Sequence, residues 1–211
     1  ETATGMEAPL TVLYTYGLRG DLASLPRLFT LIRQLRALNS EAAVPVCEDD
    51  PAPPVGRVLL LDLGDSCAPD VWHCGVSGGL SMPLAFEGMG YHAATVSITP
   101  EARARISEST QLKMIDADHP AEVDGVWLTL GDPRPDQLTI RMQPAEFADL
   151  TDNLLTLPPV KARQVGEARL RGQMLVSHMV YDLPTNALPD PTIAGVVDLV
   201  TSEARYRQKR G

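Results

Sequence analysis

Positive charge is scarce in this chain: 18 Lys and Arg stand against 27 Asp and Glu over 211 residues, a formal net charge of −9. That balance excludes nonspecific affinity for nucleic acid or for an anionic membrane surface, both of which reward basic patches. Long hydrophobic runs are also lacking. None approaches the roughly 18 residues of a membrane span, and no basic-then-apolar leader precedes the first strand, so a soluble chain is expected. Cysteine is limited to three residues without regular spacing, which makes no disulfide framework and fits a reducing, cytoplasmic location. Histidine is limited to four. His73, His92, His119 and His178 show neither His-x-x-x-His nor His-x-His spacing, so structural or solvated roles are expected for them. What remains is 44% hydrophobic. A compact unit of this length buries roughly 70% of its extended surface and folds without a staple.

Residues 1–9 read as an appended remnant or a loose terminus, and residues 10–211 as a single domain, because no boundary divides them. Leu10 to Tyr16 (LTVLYTY) and Val58 to Leu63 (VLLLDL) lack a polar face, the pattern of strands covered on both sides. Between them Leu25 to Leu38 repeats apolar residues at spacings of three and four behind Ser24 and Pro26, which predicts an amphipathic helix. Strand, helix and strand make a βαβ unit with parallel strands. Ligands of such sheets sit beyond the carboxyl ends of strands, which puts the 17–21 turn and Asp65 on one rim. The acidic, proline-rich Glu48 to Pro54 reads as a surface loop, Leu80 to Met89 as a short helix and Tyr91 to Ile98 as a third strand. Short strands follow at 111–115, 125–130, 138–142, 165–171 and 174–181, and Pro191 to Arg207 reads as a closing helix.

The order of these pieces resembles the N-terminal catalytic domain of the 5′-nucleotidase branch of the metallophosphoesterases. VLYTYGLRGDLASLPRLFTLI (Val12 to Ile32) is similar to that family's opening strand ending in Asp-x-His-Gly. VLLLDLGDS (Val58 to Ser66) resembles its Leu-Leu-Asp-x-Gly-Asp strand, and GMGYHAATVSIT (Gly88 to Thr99) the Gly-Tyr-Asp-Ala strand that runs into Gly-Asn-His-Glu. GVWLTLGDPRP (Gly125 to Pro135), QVGEARL (Gln164 to Leu170) and the helix after Pro189 are similar to elements framing the end of that domain. The resemblance spans most of Leu10 to Val200 and implies a layered α/β/β/α sandwich with mixed sheets and parallel N-terminal strands.

The family's reaction, as the resemblance implies it, needs two divalent metals held by carboxylate, imidazole and amide ligands. In Asp-x-His-Gly the ligand positions fall here on Gly17 and Arg19, which have no side-chain donor and a fixed cation respectively. The Gly-Asp carboxylate is Asp65, with Asp62 beside it. In Gly-Asn-His-Glu the amide falls on Ile98 and the imidazole on Thr99, and the later histidine segments have no counterpart between Leu138 and Pro159. The resemblance therefore implies a pseudoenzyme without catalytic residues, metal or cofactor, whose role is binding or assembly with a protein partner or a second copy. Two rivals stand beside it. One is a phosphate-ester hydrolase with a single metal at a site rebuilt from Asp62, Asp65 and the loop Ser66 to Ser77. The other is a structural subunit whose function is an interface. Arg19 is expected either to reach Asp65 or Asp62 and plug the vacated pocket, or to point to solvent.

Other candidates are weaker. Cys67, Asp70, His73 and Cys74 gather zinc-competent side chains in a spacing that matches no zinc pattern; the two cysteines read equally as buried thiols or as a bridge. Gly75 to Gly79 lacks the ending of a phosphate loop and reads as a turn, and Ser66, Ser77 and Ser81 belong to no nucleophile elbow. Arg205, Arg207, Lys209 and Arg210 read as a solvated helix end that complements the helix dipole.

Overall fold

A computed structural model of the chain describes residues 9–40, 56–68 and 70–210. The terminal segment 1–8 and the loop expected over Glu48 to Pro54 lie outside the described residues. Strand β1 is Leu10–Thr15, with all six residues buried. It pairs in parallel with β2, Arg57–Asp62, in a register that sets Thr15 opposite Asp62. Helix α1, Leu25–Ser40, connects them and buries Leu25, Leu28, Leu31, Ile32 and Leu35. The parallel βαβ start expected from the apolar runs is thus what forms.

Four further strands complete the first sheet: β3 (Ala93–Ala94), β4 (Lys113–Met114), β10 (Gln164–Arg171) and β11 (Met174–Asp182). Their order is β11-β10-β1-β2-β3-β4, with β1 to β4 parallel and β10 and β11 antiparallel. The second sheet holds β5 (Ala121–Val123), β6 (Val126–Thr129), β7 (Thr139–Arg141), β8 (Asp149–Thr151) and β9 (Leu154–Thr156), ordered β5-β6-β7-β9-β8. Alternation along β1 and β2 divides the core. Val12, Tyr14, Leu59 and Leu61 face the second sheet and meet Leu128, Ile140 and Leu155. Leu13 and Leu60 face the helices.

The remaining helices are α2 (Trp72–Ser77), α3 (Ser81–Met89), α4 (Pro100–Ser109) and α5 (Pro191–Gln208). Buried leucines and Ile32 of α1, Met82, Phe86 and Met89 of α3, Ala102 and Ile106 of α4, and Ile193 and Val200 of α5 join one cluster on the outer face of the first sheet. No helical residue enters the cluster between the sheets. The described residues therefore make three layers, α/β/β, and the fourth layer of the expected α/β/β/α sandwich is not among them.

Two strand expectations are corrected. Tyr91 to Ile98 pairs only at Ala93–Ala94, and the expected strand over 111–115 pairs only at Lys113–Met114. Thr95 N–H still donates to Asp62 O at 3.0 Å, and beyond it the chain leaves the sheet: the Thr95 hydroxyl donates to the Met142 carbonyl at 2.9 Å, and Thr99 caps α4 by accepting from the Ala102 N–H. Among the described residues no helix is long and apolar enough to cross a membrane.

Candidate functional site

The carboxyl ends of β1 and β2 run into two turns that stay paired through the backbone. Leu63 N–H donates to Thr15 O at 2.9 Å, Gly17 N–H to Gly64 O at 2.9 Å, Arg19 N–H to Asp65 O at 3.0 Å and Gly20 N–H to Ser66 O at 2.8 Å. Both turns are built from left-handed residues. Gly17, Gly20 and Gly64 have φ of 68°, 80° and 113°, and Arg19 and Asp65 hold φ of 47° and 52°. An L-residue with a Cβ is disfavoured there by about 1–2 kcal/mol.

The two strained residues contact each other. Arg19 Nη1 lies 3.2 Å from Asp65 Oδ1 and 3.3 Å from Asp65 Oδ2, and Arg19 Nη2 lies 3.9 Å from Asp70 Oδ1. The Arg19 side chain is 59% exposed and that of Asp65 40%. The expected approach of Arg19 to Asp65 is present, whereas the expected plug is not: the guanidinium lies over the turns as a surface clamp. An exposed pair of this kind contributes about 0–1 kcal/mol.

Asp62 sits beneath the clamp, fully buried on the helix side of the sheet. Its Oδ1 accepts from the Thr15 hydroxyl at 3.0 Å and the Ser66 hydroxyl at 2.6 Å, and its Oδ2 from Gly64 N–H at 3.2 Å. Tyr91 OH extends the chain to Thr15 Oγ1 at 3.0 Å. All these partners are neutral. Desolvation therefore dominates and pushes the Asp62 carboxyl up to about 7, against the downward pull of the Ser66, Thr15 and Gly64 hydrogen bonds. Burial likewise raises the Tyr91 phenol, which stays protonated.

The other implied family positions do not join this cluster. Thr99 is the cap of α4, and the contacts of Ile98 and Thr99 are with the Gly78–Gly79 turn, where added Cβ atoms would stand 3.0 Å from Thr99 Oγ1 and from Ile98 Cγ2. A pair of divalent cations would find here one carboxylate, Asp65, engaged by a guanidinium, and a second, Asp62, whose oxygens already accept three hydrogen bonds. That donor set does not fit the group.

Cys67 and Cys74 form a disulfide with Cα atoms 5.7 Å apart. Of the two readings left open for these cysteines, buried thiols or a bridge, the bridge is the one that forms. It also dissolves the weak zinc candidate. The sulfurs are bonded to each other, Asp70 is 79% exposed, and His73 bonds Ser81 Oγ through Nδ1 at 2.7 Å and Gly20 O through Nε2 at 2.9 Å. Among the described residues no three His, Cys, Asp or Glu are grouped to hold a metal ion.

The other histidines also have specific partners. His92 Nδ1 accepts from Leu60 N–H at 3.0 Å, His119 Nδ1 lies 2.7 Å from Asp116 Oδ1, and His178 Nε2 lies 2.8 Å from Tyr14 OH. Burial lowers the pKa of His92 and of His178, so both favour the neutral ring. The part of the site that sequence reasoning missed is the His73–Ser81 pair, whose members are read separately as a structural histidine and an unassigned serine. Their spacing of eight residues carries no local signal, since the helices bearing them are separated by the Gly78–Gly79 turn.

No family model matches the chain, and no curated protein sequence matches it.

Proposed function

We propose that this chain is a phosphoesterase-like α/β scaffold that serves binding or assembly, with its carboxyl-end rim closed by protein groups instead of metal. The observation that carries the reading is the Arg19–Asp65 contact. Gly17 and Arg19 occupy the turn where the resemblance implies two metal ligands, and the guanidinium now supplies the positive charge facing Asp65. Asp62 supports the same reading: with its carboxyl held by Thr15, Ser66 and Gly64 and half-protonated near neutrality, it needs no cation.

The test is a metal analysis of the purified chain followed by phosphomonoesterase and phosphodiesterase assays with added manganese. No turnover above background is expected in the wild type. Manganese-dependent hydrolysis that tracks the protein through every purification step, and that disappears in Asp65→Asn, would replace this reading by that of a hydrolase with a site rebuilt around Asp65.

A further inference from the structure

The Cys67–Cys74 bridge lies against the paired turns, and its surroundings differ from those of an inert staple. Cys67 directly follows Ser66, the last residue of the backbone ladder, and Cys74 sits in α2. The segment they close touches the 17–20 turn at three points. Asp70 reaches Arg19 at 3.9 Å, His73 Nε2 holds the Gly20 carbonyl at 2.9 Å, and Val71 packs so closely on Gly20 that a Cβ there would stand 2.7 Å from Val71 Cγ1. Cys74 is buried, while Cys67 is half-buried.

Polar groups converge on both sulfurs. Ser81 Oγ lies 3.6 Å from Cys67 Sγ and 3.8 Å from Cys74 Sγ, and His73 Nδ1 lies 3.8 Å from Cys74 Sγ. His73 is 5% exposed and Ser81 1%. The Gly20 carbonyl can only accept, so His73 Nε2 donates to it, which leaves Nδ1 of the neutral ring to accept the Ser81 hydroxyl proton. The hydroxyl that His73 holds within reach of both sulfurs is what a departing thiolate needs: as the bond breaks, its one proton can turn from Nδ1 to the Cys74 sulfur.

We propose that Cys67–Cys74 is a thiol–disulfide exchange site, opened by a dithiol, that controls the clamp above the paired turns. One thiolate of the dithiol attacks the accessible Cys67 Sγ. The Sγ–Sγ bond breaks, and its electron pair leaves on Cys74 Sγ, beside Ser81 and His73. The second thiol then attacks its own partner sulfur in the mixed disulfide and releases Cys67. The dithiol loses two electrons and two protons and becomes a disulfide; Cys67 and Cys74 gain both as thiols. His73 is a positioning residue for the leaving sulfur. Once the bridge is open, α2 has only six residues, too few to persist alone, and Asp70 is no longer tethered near Arg19.

The experiment treats the oxidised full chain with dithiothreitol under native conditions. Alkylation read peptide by peptide separates Cys67 and Cys74 from Cys47, and hydrogen exchange follows the Arg19 and Gly20 amides. The bridge is expected to open faster than global unfolding, exchange at those two amides to accelerate, and His73→Asn to slow opening about tenfold through a poorer leaving group. Opening only at the rate of global unfolding would overturn the proposal, as would opening without any change at Arg19 and Gly20. Ser81→Ala is the second variant should His73→Asn fail to fold, and unaltered kinetics in whichever variant folds would equally overturn it.

Discussion

Arg19 and Asp65 are joined twice, once through the backbone, where Arg19 N–H donates to Asp65 O at 3.0 Å, and once through the side chains at 3.2 Å. Both hold left-handed φ values. The strands β1 and β2 therefore continue their pairing into the turns only because two residues with side chains accept a conformation that suits glycine. A strained backbone whose side chains pair across it is the mark of a constructed rim, and it separates two energies that a single truncation would merge.

Arg19→Ala removes the ion pair and keeps the left-handed strain, whereas Arg19→Gly removes both. The pair is exposed and contributes about 0–1 kcal/mol, and relief of the strain returns about 1 kcal/mol or more. Urea unfolding is expected to rank Arg19→Gly at or above wild type and Arg19→Ala below it. Equal loss in both variants would mean that the side-chain pair, not the backbone, sets stability here.

Asp62 makes the second prediction. Its folded pKa of about 7 exceeds the ordinary 3.8, so between those values the folded protein keeps a proton that the unfolded chain releases. Stability therefore falls as pH rises through this window, by at most about 1.4 kcal/mol per pH unit, and levels off above it. Asn at this position can donate from its amide to Ser66 and Thr15 and accept Gly64 N–H on its oxygen. Asp62→Asn is expected to flatten the decline and to exceed wild-type stability above pH 7. Parallel pH profiles for the two proteins would show that Asp62 stays charged throughout.

The fold was legible where burial is continuous. In β1, β2 and α1 the local pattern and the tertiary burial agree, so the parallel pairing and the shared rim of the 17–21 turn and Asp65 followed from the order of elements, while the side-chain contact of Arg19 with Asp65 was one of two open expectations. Tyr91 to Ile98 misled because its β-rich composition says nothing of the Thr95–Met142 bond that draws it off the sheet. The helix α2 was hidden because it lacks a side-chain cap and contains Gly75. Its place is fixed by the disulfide and by His73, both non-local. Two hairpins had usable signals: Asp124-Gly125 between β5 and β6, and Asp152-Asn153 between β8 and β9, all at positive φ. The burial of Asp62 is a matter of parity, since Leu60 and Asp62 share the helix-facing side of β2.

The disulfide also has a thermodynamic share. Closing the eight residues from Cys67 to Cys74 restricts the unfolded chain by about 2.5 kcal/mol. A Cys67→Ala/Cys74→Ala double variant is expected to lose stability of that order while keeping most of its far-ultraviolet dichroism, since of the helices only the six-residue α2 is tied by the bridge. An unchanged denaturation midpoint would indicate that the bridge is absent from the folded protein in solution.

Tyr14 and Gly166 provide the sharpest packing test. They are register partners on β1 and β10, and the Tyr14 ring lies across Gly166 to place its hydroxyl 2.8 Å from His178 Nε2 on β11. A Cβ at Gly166 would stand 2.2 Å from two ring carbons and 2.7 Å from the hydroxyl oxygen. The ring is fully buried and cannot swing aside without opening the core between the sheets. Gly166 has no positive φ, so alanine is tolerated by its backbone and any loss is steric. Gly166→Ala is expected to destabilise by about 3 kcal/mol. Tyr14→Phe removes only the hydrogen bond to His178 and is expected to lose about 1 kcal/mol. In a Tyr14→Val background the ring is gone, and the same Gly166→Ala change should become nearly neutral, a coupling that a double-mutant cycle measures directly. Additive losses at the two positions would mean that the ring does not occupy the space over Gly166.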